Sequence, residues 1–219
     1  MTTIRGNSMQ NLTTRSLVFA AAFAMIASPL LALEQPPAVK NSAVPSLMET
    51  GTYDLDPTHA IIEFGVSHLG FSLYRGRFNT ASGTLEWNSA EPEKSSVSVT
   101  VEVASIDTPS DKLDAELTGA EVFDAAQFPQ ATFKSTGATR TSDTTGTLTG
   151  DLTIKGVTKP ITLAVTFNGS GQHPMLNTAW SGFTATGSFK RSDFGIVNWA
   201  QAVGDTVELR LDIEFGKKQ

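Results

Sequence analysis

The chain has 219 residues, of which 40% are hydrophobic and 17% charged, with a formal net charge of −6 and no cysteine. That hydrophobic fraction is too high for a disordered polymer and too low for a polytopic membrane protein, and the length holds one domain with extra segments. The acidic balance argues against nucleic acid, which needs clustered Lys and Arg, and the missing Cys excludes disulfides, thiolate chemistry, Cys-ligated metals and a cysteine-linked lipid anchor.

Arg5 and Arg15 are the only charges before Glu34, and an uncharged, largely apolar stretch runs from Leu17 to Leu33. A basic start followed by a short apolar run reads as a secretory signal peptide over residues 1–32, with cleavage near Ala32. Its densest part is shorter than the ~20 residues of a spanning helix, so no stable membrane span is expected once the signal is removed. Residues 33–50 contain EQPPAVKNSAVPSLMET, with Pro36, Pro37 and Pro45 and no apolar period, and read as a linker. The folded unit is expected over 51–219.

From Thr58 on, apolar and polar residues alternate, the pattern of strands with one dry face. Ala60, Ile62, Phe64, Val66 and His68 share one parity. Ser72, Tyr74, Gly76 and Phe78 share the next, continued past a bend by Gly83, Leu85 and Trp87. The third run is Val97, Val99, Val101 and Val103, and a short fourth carries Ala131 and Phe133. Then follow Leu148, Gly150, Leu152 and Ile154, and after them Ile161, Leu163, Val165 and Phe167. The last two runs are Phe183, Ala185, Gly187, Phe189 and Arg191, then Val207, Leu209, Leu211, Ile213 and Phe215.

One stretch, Thr108 to Phe123, departs from this alternation. There Thr108 can cap a short helix, with Pro109 at the first helical position, Asp111 at a capping-box-like spacing, and Leu113 and Leu117 one turn apart. Half-dry strands must close on themselves or pack as two sheets, because open edges invite aggregation. Eight runs are the number that encloses a packed interior or one small ligand, so the fold expected is all-β, an eight-stranded antiparallel barrel with a short helical insertion. Inward Gly76, Gly150 and Gly187 either leave empty volume or only relieve strand curvature.

The three histidines do not form a metal motif. His59 and His68 are separated by an odd number of positions on one strand, which puts them on opposite faces, and His173 sits in a distant loop. There is no phosphate loop, dinucleotide fingerprint or nucleophile elbow. Arg191 continues the dry parity of Phe183 and Phe189, so its guanidinium needs an anion: a ligand headgroup, or Asp193, Asp107 or Asp205 in a salt bridge. His68 is a headgroup contact or a hydrogen-bonded strand end. The aromatics Phe64, Phe78, Phe133, Phe183, Phe189 and Phe194 could also simply fill a core.

Six blocks stand in order: YDLDPTHAIIEFGVSHLGFSLYRGRF, SIDT, VFDAAQFPQATF, GTLTGDLTIKGVTKPITL, GFTATGSFKRSDFGI and VGDTVELRLDIEF. Together, over roughly residues 52 to 215, they resemble the YceI family of bacterial periplasmic, polyisoprenoid-binding proteins. The resemblance implies a lipocalin-like barrel in the periplasm, holding a long isoprenoid or related amphiphilic lipid, its expected partner, in a hydrophobic channel, with no catalysis and no cofactor. The family's first motif falls on Tyr53, Asp56, His59, Phe64, His68 and Gly70, and its late motif on Arg191, Ser192, Asp193, Phe194 and Gly195. The helical segment keeps Asp114 and Leu117 but has Leu113 and Glu116 where the family pattern has Arg and His, which favours a neutral headgroup, such as a quinone or amide, over a pyrophosphate.

The ligand contacts expected on this reading are Ile62, Phe64, Val66, His68, Phe78, Val99, Val101, Phe133 and Leu152, then Phe183, Phe189, Arg191, Phe194 and Trp199. Other readings remain open: an interaction or stress-related module with a filled core, or a lipid-modifying enzyme with His68 or His59 as base. A homodimer is compatible with all of them.

Overall fold

The structure, a computed structural model, describes residues 41–219. The signal peptide expected over residues 1–32, and the linker up to residue 40, lie outside the described residues. Its strands are β1 (Asn41–Ser42), β2 (Gly51–His68), β3 (Ser72–Phe78), β4 (Ala81–Trp87), β5 (Ser96–Glu102), β6 (Ile106–Asp107), β7 (Gln130–Arg140), β8 (Thr145–Ile154), β9 (Val157–Gln172), β10 (Ala179–Lys190) and β11 (Val203–Lys217). One helix, α1 (Asp111–Thr118), interrupts them.

All pairings are antiparallel, and the pairing of β11 with β2 closes the sheet. β2 is long enough to hold two partners in succession. Its first residues pair with β4 (Gly51 with Trp87) and its last with β3 (Ile62 with Phe78, His68 with Ser72). β3 and β4 thus lie end to end in one row, as do β6 and β5 beyond them, and the result is the expected closed eight-stranded antiparallel barrel. Closure leaves no long free edge, which is how a small all-β domain avoids edge-to-edge association.

Alternation changes phase once within β2. Tyr53 and Leu55 point inward at odd positions, while Ile62 is inward at an even one. Between them Asp56 to His59 bulge out, since Leu55 pairs with Phe215 and Ala60 with Ile213, leaving only Glu214 opposite. Pro57 has no N–H for a ladder, and the Asp56 carboxylate takes the Thr58 N–H at 2.9 Å and its hydroxyl at 2.7 Å, so the local chemistry favours this bulge.

Two apolar clusters form the interior. Near the end at which β2 begins, Met48, Tyr53, Leu85, Trp87, Phe167 and Phe215 are buried together, with the Trp87 and Phe167 rings stacked at 6.2 Å. Near the end at which β2 finishes, Val122, Leu152, Ile161, Leu163, Phe194 and Ile196 pack beneath α1 and the turn Arg191–Phe194.

Two local expectations are corrected. Ser110, not Thr108, caps α1: its hydroxyl accepts the Leu113 N–H at 3.4 Å, while Thr108 is buried and donates its own N–H to Asp114 at 3.0 Å. The segment expected to be a linker up to residue 50 is docked from Asn41 onward. β1 pairs with β9 beyond the end of β8, and Met48 is only 2% exposed because its side chain enters the first cluster.

Candidate functional site

The inward face of the barrel encloses a cavity of about 820 Å³ with mostly apolar walls. Ile62, Phe64 and Val66 of β2, Phe78 of β3, Val99 and Val101 of β5, Phe133 of β7, Leu152 of β8, and Phe183 and Phe189 of β10 all line it. These side chains reach one space because period-two strands in a closed sheet send every second residue to the same side. The interior is therefore lined by Phe and Val side chains and not filled by them.

Gly76, Gly150 and Gly187 do face inward, but they do not themselves supply the empty volume. The Phe64 ring lies over Gly76, the Phe133 ring over Gly150 and the Leu163 side chain over Gly187, so a Cβ at any of them would collide with its neighbour. The glycines let large side chains lie flat against the wall, which smooths the cavity instead of enlarging it at those points.

His68 and Trp199 line the cavity where β2 ends. Trp199 lies in the loop after the Arg191–Phe194 turn, with a left-handed φ of 55° and 45% exposure. Phe194 does not reach the cavity. It is 1% exposed and packs edge-on against Phe189 at 5.2 Å, so it supports the wall from behind. The 3-10 turn rotates it out of the parity carried by β10, a deviation that alternation along a strand cannot reveal.

Arg191 lines the cavity as expected, but among the described residues its guanidinium makes no ion pair with Asp193, Asp107 or Asp205. Nε donates to the Gly204 carbonyl at 3.0 Å, Nη1 to Ile196 at 3.0 Å and Asn198 at 2.7 Å, and Nη2 to Val203 at 3.0 Å. Of the carboxylates proposed for it, Asp107 pairs with Arg77 at 3.1 Å, and Asp205 accepts the Ser192 hydroxyl at 2.8 Å and N–H at 3.0 Å, bonds that hold its carboxyl below the usual range. Four carbonyls around one planar cation fix the loop that carries Trp199. That role was invisible in sequence because every partner is a backbone atom.

Several residues at the site were missed by strand reading. Leu113, Glu116, Leu117 and Phe123 of the helical segment line the cavity near His68 and Tyr74. At the other end the walls reach Pro45, Glu93, Ser95, Ser96 and the β7–β8 tip at Arg140, Ser142 and Asp143. Only the departure from alternation at 108–123 signalled an element that could cover the barrel.

His59, in the outward bulge of β2, is exposed and does not line the cavity, whereas His68 does, so the two lie apart as expected. Its Nδ1 lies 2.6 Å from Asp56 Oδ2, and this hydrogen bond raises its pKa above the ordinary histidine value, with nearby Glu214 adding to the effect. Burial alone would raise the Asp56 pKa, but hydrogen bonds from His59 and Thr58 outweigh it and the net direction is down. Tyr53 is fully buried, donates to the Glu49 carbonyl at 2.7 Å, and has its pKa pushed up to about 12 by burial and then by the Glu49 charge.

A closed antiparallel barrel around an apolar cavity, capped at one end by a helix and an arginine-clamped loop, defines a lipocalin-like architecture. Residues 53–215 match the YceI-like domain, and the chain belongs to that family. It is 39% identical over 166 residues to a UPF0312 protein of Pseudomonas putida, covering 76% of this chain and 85% of that protein. The Campylobacter jejuni YCEI protein superposes with a TM-score of 0.64 at 28% identity, covering 70% of this chain and 90% of that one. A polyisoprenoid binding domain from Saccharophagus degradans, implicated in plant cell wall breakdown, shares the fold with a TM-score of 0.56 at 16% identity, covering 78% of this chain and all (100%) of that domain.

Proposed function

We propose that this protein binds a long-chain isoprenoid or related amphiphilic lipid, prenyl or quinone-like, inside the barrel, and that residues 1–32 export it to the periplasm as a non-catalytic carrier. The observation that carries this reading is the apolar cavity of about 820 Å³, within the range of roughly 300–1,000 Å³ typical of ligand sites. A lipid tail gains about 0.8 kcal/mol for each buried methylene, so a few isoprene units suffice for firm retention without a strong polar anchor. The polyisoprenoid-binding description of the Saccharophagus degradans domain agrees with such a tail. Because carbonyls take four of the five Arg191 N–H donors and Glu116 lines the wall, a neutral headgroup fits this chain better than a pyrophosphate.

Native protein purified without detergent, extracted with organic solvent and analysed by mass spectrometry, should yield a prenyl or similar lipid at near-stoichiometric amount. Phe64→Asp and Phe189→Asp each place a charge on the dry wall and should abolish that retention. Empty wild-type protein that also fails to take up added prenols would refute the reading.

A further inference from the structure

The two ends of the barrel differ in what surrounds the cavity. Where β2 begins, the cavity walls run out to Glu93, Ser95, Ser96, Arg140, Ser142 and Asp143, and the exposed apolar residues of that end, Val44, Leu47, Met175 and Leu176, do not line the cavity. Where β2 finishes, the rim carries exposed apolar residues, and one of them, Trp199, also lines the cavity. Leu69 is 52% exposed, Phe71 88%, Val197 61% and Trp199 45%. They belong to two loops joined to each other: the Leu69 N–H donates to Ala202 at 2.7 Å, the Ala202 N–H to Trp199 at 2.8 Å, and the Phe71 N–H to His68 at 2.9 Å.

Two of these residues are placed against local preference. Leu69 and Trp199 have left-handed φ values of 52° and 55°, a conformation that Gly, Asn or Asp adopts with less strain. They are also largely exposed, where a polar side chain would be better solvated. A bulky apolar residue at a strained and exposed position, twice in adjoining loops, needs a reason outside the folded core. Trp199 and His68 are at once part of this rim and part of the cavity wall, so the rim and the cavity meet at shared side chains.

We infer that this rim is a docking surface for a phospholipid bilayer, through which the cavity exchanges its lipid. The inference rests on the lipid-binding reading above. Tryptophan and phenylalanine on short loops suit the headgroup and upper acyl region, where an amphipathic ring has apolar and polar surroundings together. Direct transfer would keep a prenyl tail out of water throughout its passage. The net charge of −6 gives no general attraction to anionic lipid, so the contact is apolar, shallow and nearly independent of salt.

The test uses neutral phosphatidylcholine vesicles with brominated acyl chains, which quench tryptophans that enter the bilayer. Wild-type protein should sediment with the vesicles and lose fluorescence, and the quenching should vanish in Trp199→Phe, because Trp87 and Trp180 sit near the opposite end of the barrel. The double variant Leu69→Asn, Phe71→Ser keeps residues suited to the turn and leaves the side chains of the cavity wall intact; it should bind vesicles at least about tenfold more weakly while taking up added prenol normally. Failure of prenol uptake in wild-type protein would strike the lipid-binding reading, whereas normal uptake without vesicle binding would overturn the docking surface alone. Quenching that persists in Trp199→Phe, full vesicle binding by the double variant, or a wild-type dimer that this variant dissolves would overturn it as well, the last by assigning the rim to a second copy of the chain.

Discussion

Replacing Arg191 separates a structural clamp from a ligand contact more directly than any other change. Arg191→Ala removes a guanidinium that is 7% exposed and leaves the carbonyls of Ile196, Asn198, Val203 and Gly204 without their donors. A hydrogen bond to a charged group contributes roughly 1.5–3 kcal/mol, but four such contributions do not add, since water can reach part of the loop once the side chain is gone. A loss of about 3–5 kcal/mol is expected, comparable to breaking a buried charged contact. For a domain of this size that lowers the melting midpoint by roughly 6–20 °C. Arg191→Lys keeps the charge but cannot span four carbonyls from one ammonium, and should recover only part of the loss. Urea unfolding with an unchanged slope measures the stability, and hydrogen exchange at the amides of residues 195–204 locates the effect in the loop. Unfolding within about 1 kcal/mol of wild type, accompanied by loss of bound lipid, would refute the clamp and make Arg191 a headgroup contact.

Two further outcomes follow from the walls and the outer bulge. Gly150→Ala would set a Cβ 2.6 Å from the Lys134 carbonyl and inside the Phe133 ring, so it should destabilise by about 1–3 kcal/mol and displace Phe133 into the cavity, both read by urea unfolding and prenol uptake; an unaffected midpoint would show that the wall yields freely. Asp56→Asn should lower the His59 titration midpoint toward about 6.5 in an NMR pH series. The raised His59 pKa contributes stability that is present below about pH 6.5 and is lost as pH rises through the folded value, while the depressed Asp56 pKa contributes stability that is lost as pH falls through its own folded value. The pair therefore supports the bulge most between those limits, and modestly, because His59 is well exposed. An unchanged His59 midpoint in Asp56→Asn would remove the carboxylate as its cause.

Much of the site was legible because a strand's geometry is local. Ile62, Phe64, Val66, Phe78, Val99, Val101, Phe133, Leu152, Phe183 and Phe189 reach the cavity by parity alone, and closure follows from the need to hide eight dry faces and their edges. Parity lost its meaning where strands stop. Phe194 and Trp199 lie past the end of β10, so one turned behind the wall and the other toward the rim according to the turn between them. Met48 was hidden for a related reason: a Pro-rich segment has no period, and only the barrel end that receives its side chain makes it part of the core.

By itself, then, the sequence determined an acidic, cysteine-free barrel of alternating strands with one helical interruption, because each of these depends on neighbours within a few residues. The tertiary structure alone decided that the interior is open and not filled, that Arg191 binds backbone carbonyls in place of the carboxylates expected for it, and that the exposed Trp199 joins one rim to the cavity wall. Those properties arise from atoms brought together across the closure of β11 on β2 and across loops distant in the chain, and no local pattern encodes a void or a carbonyl's direction.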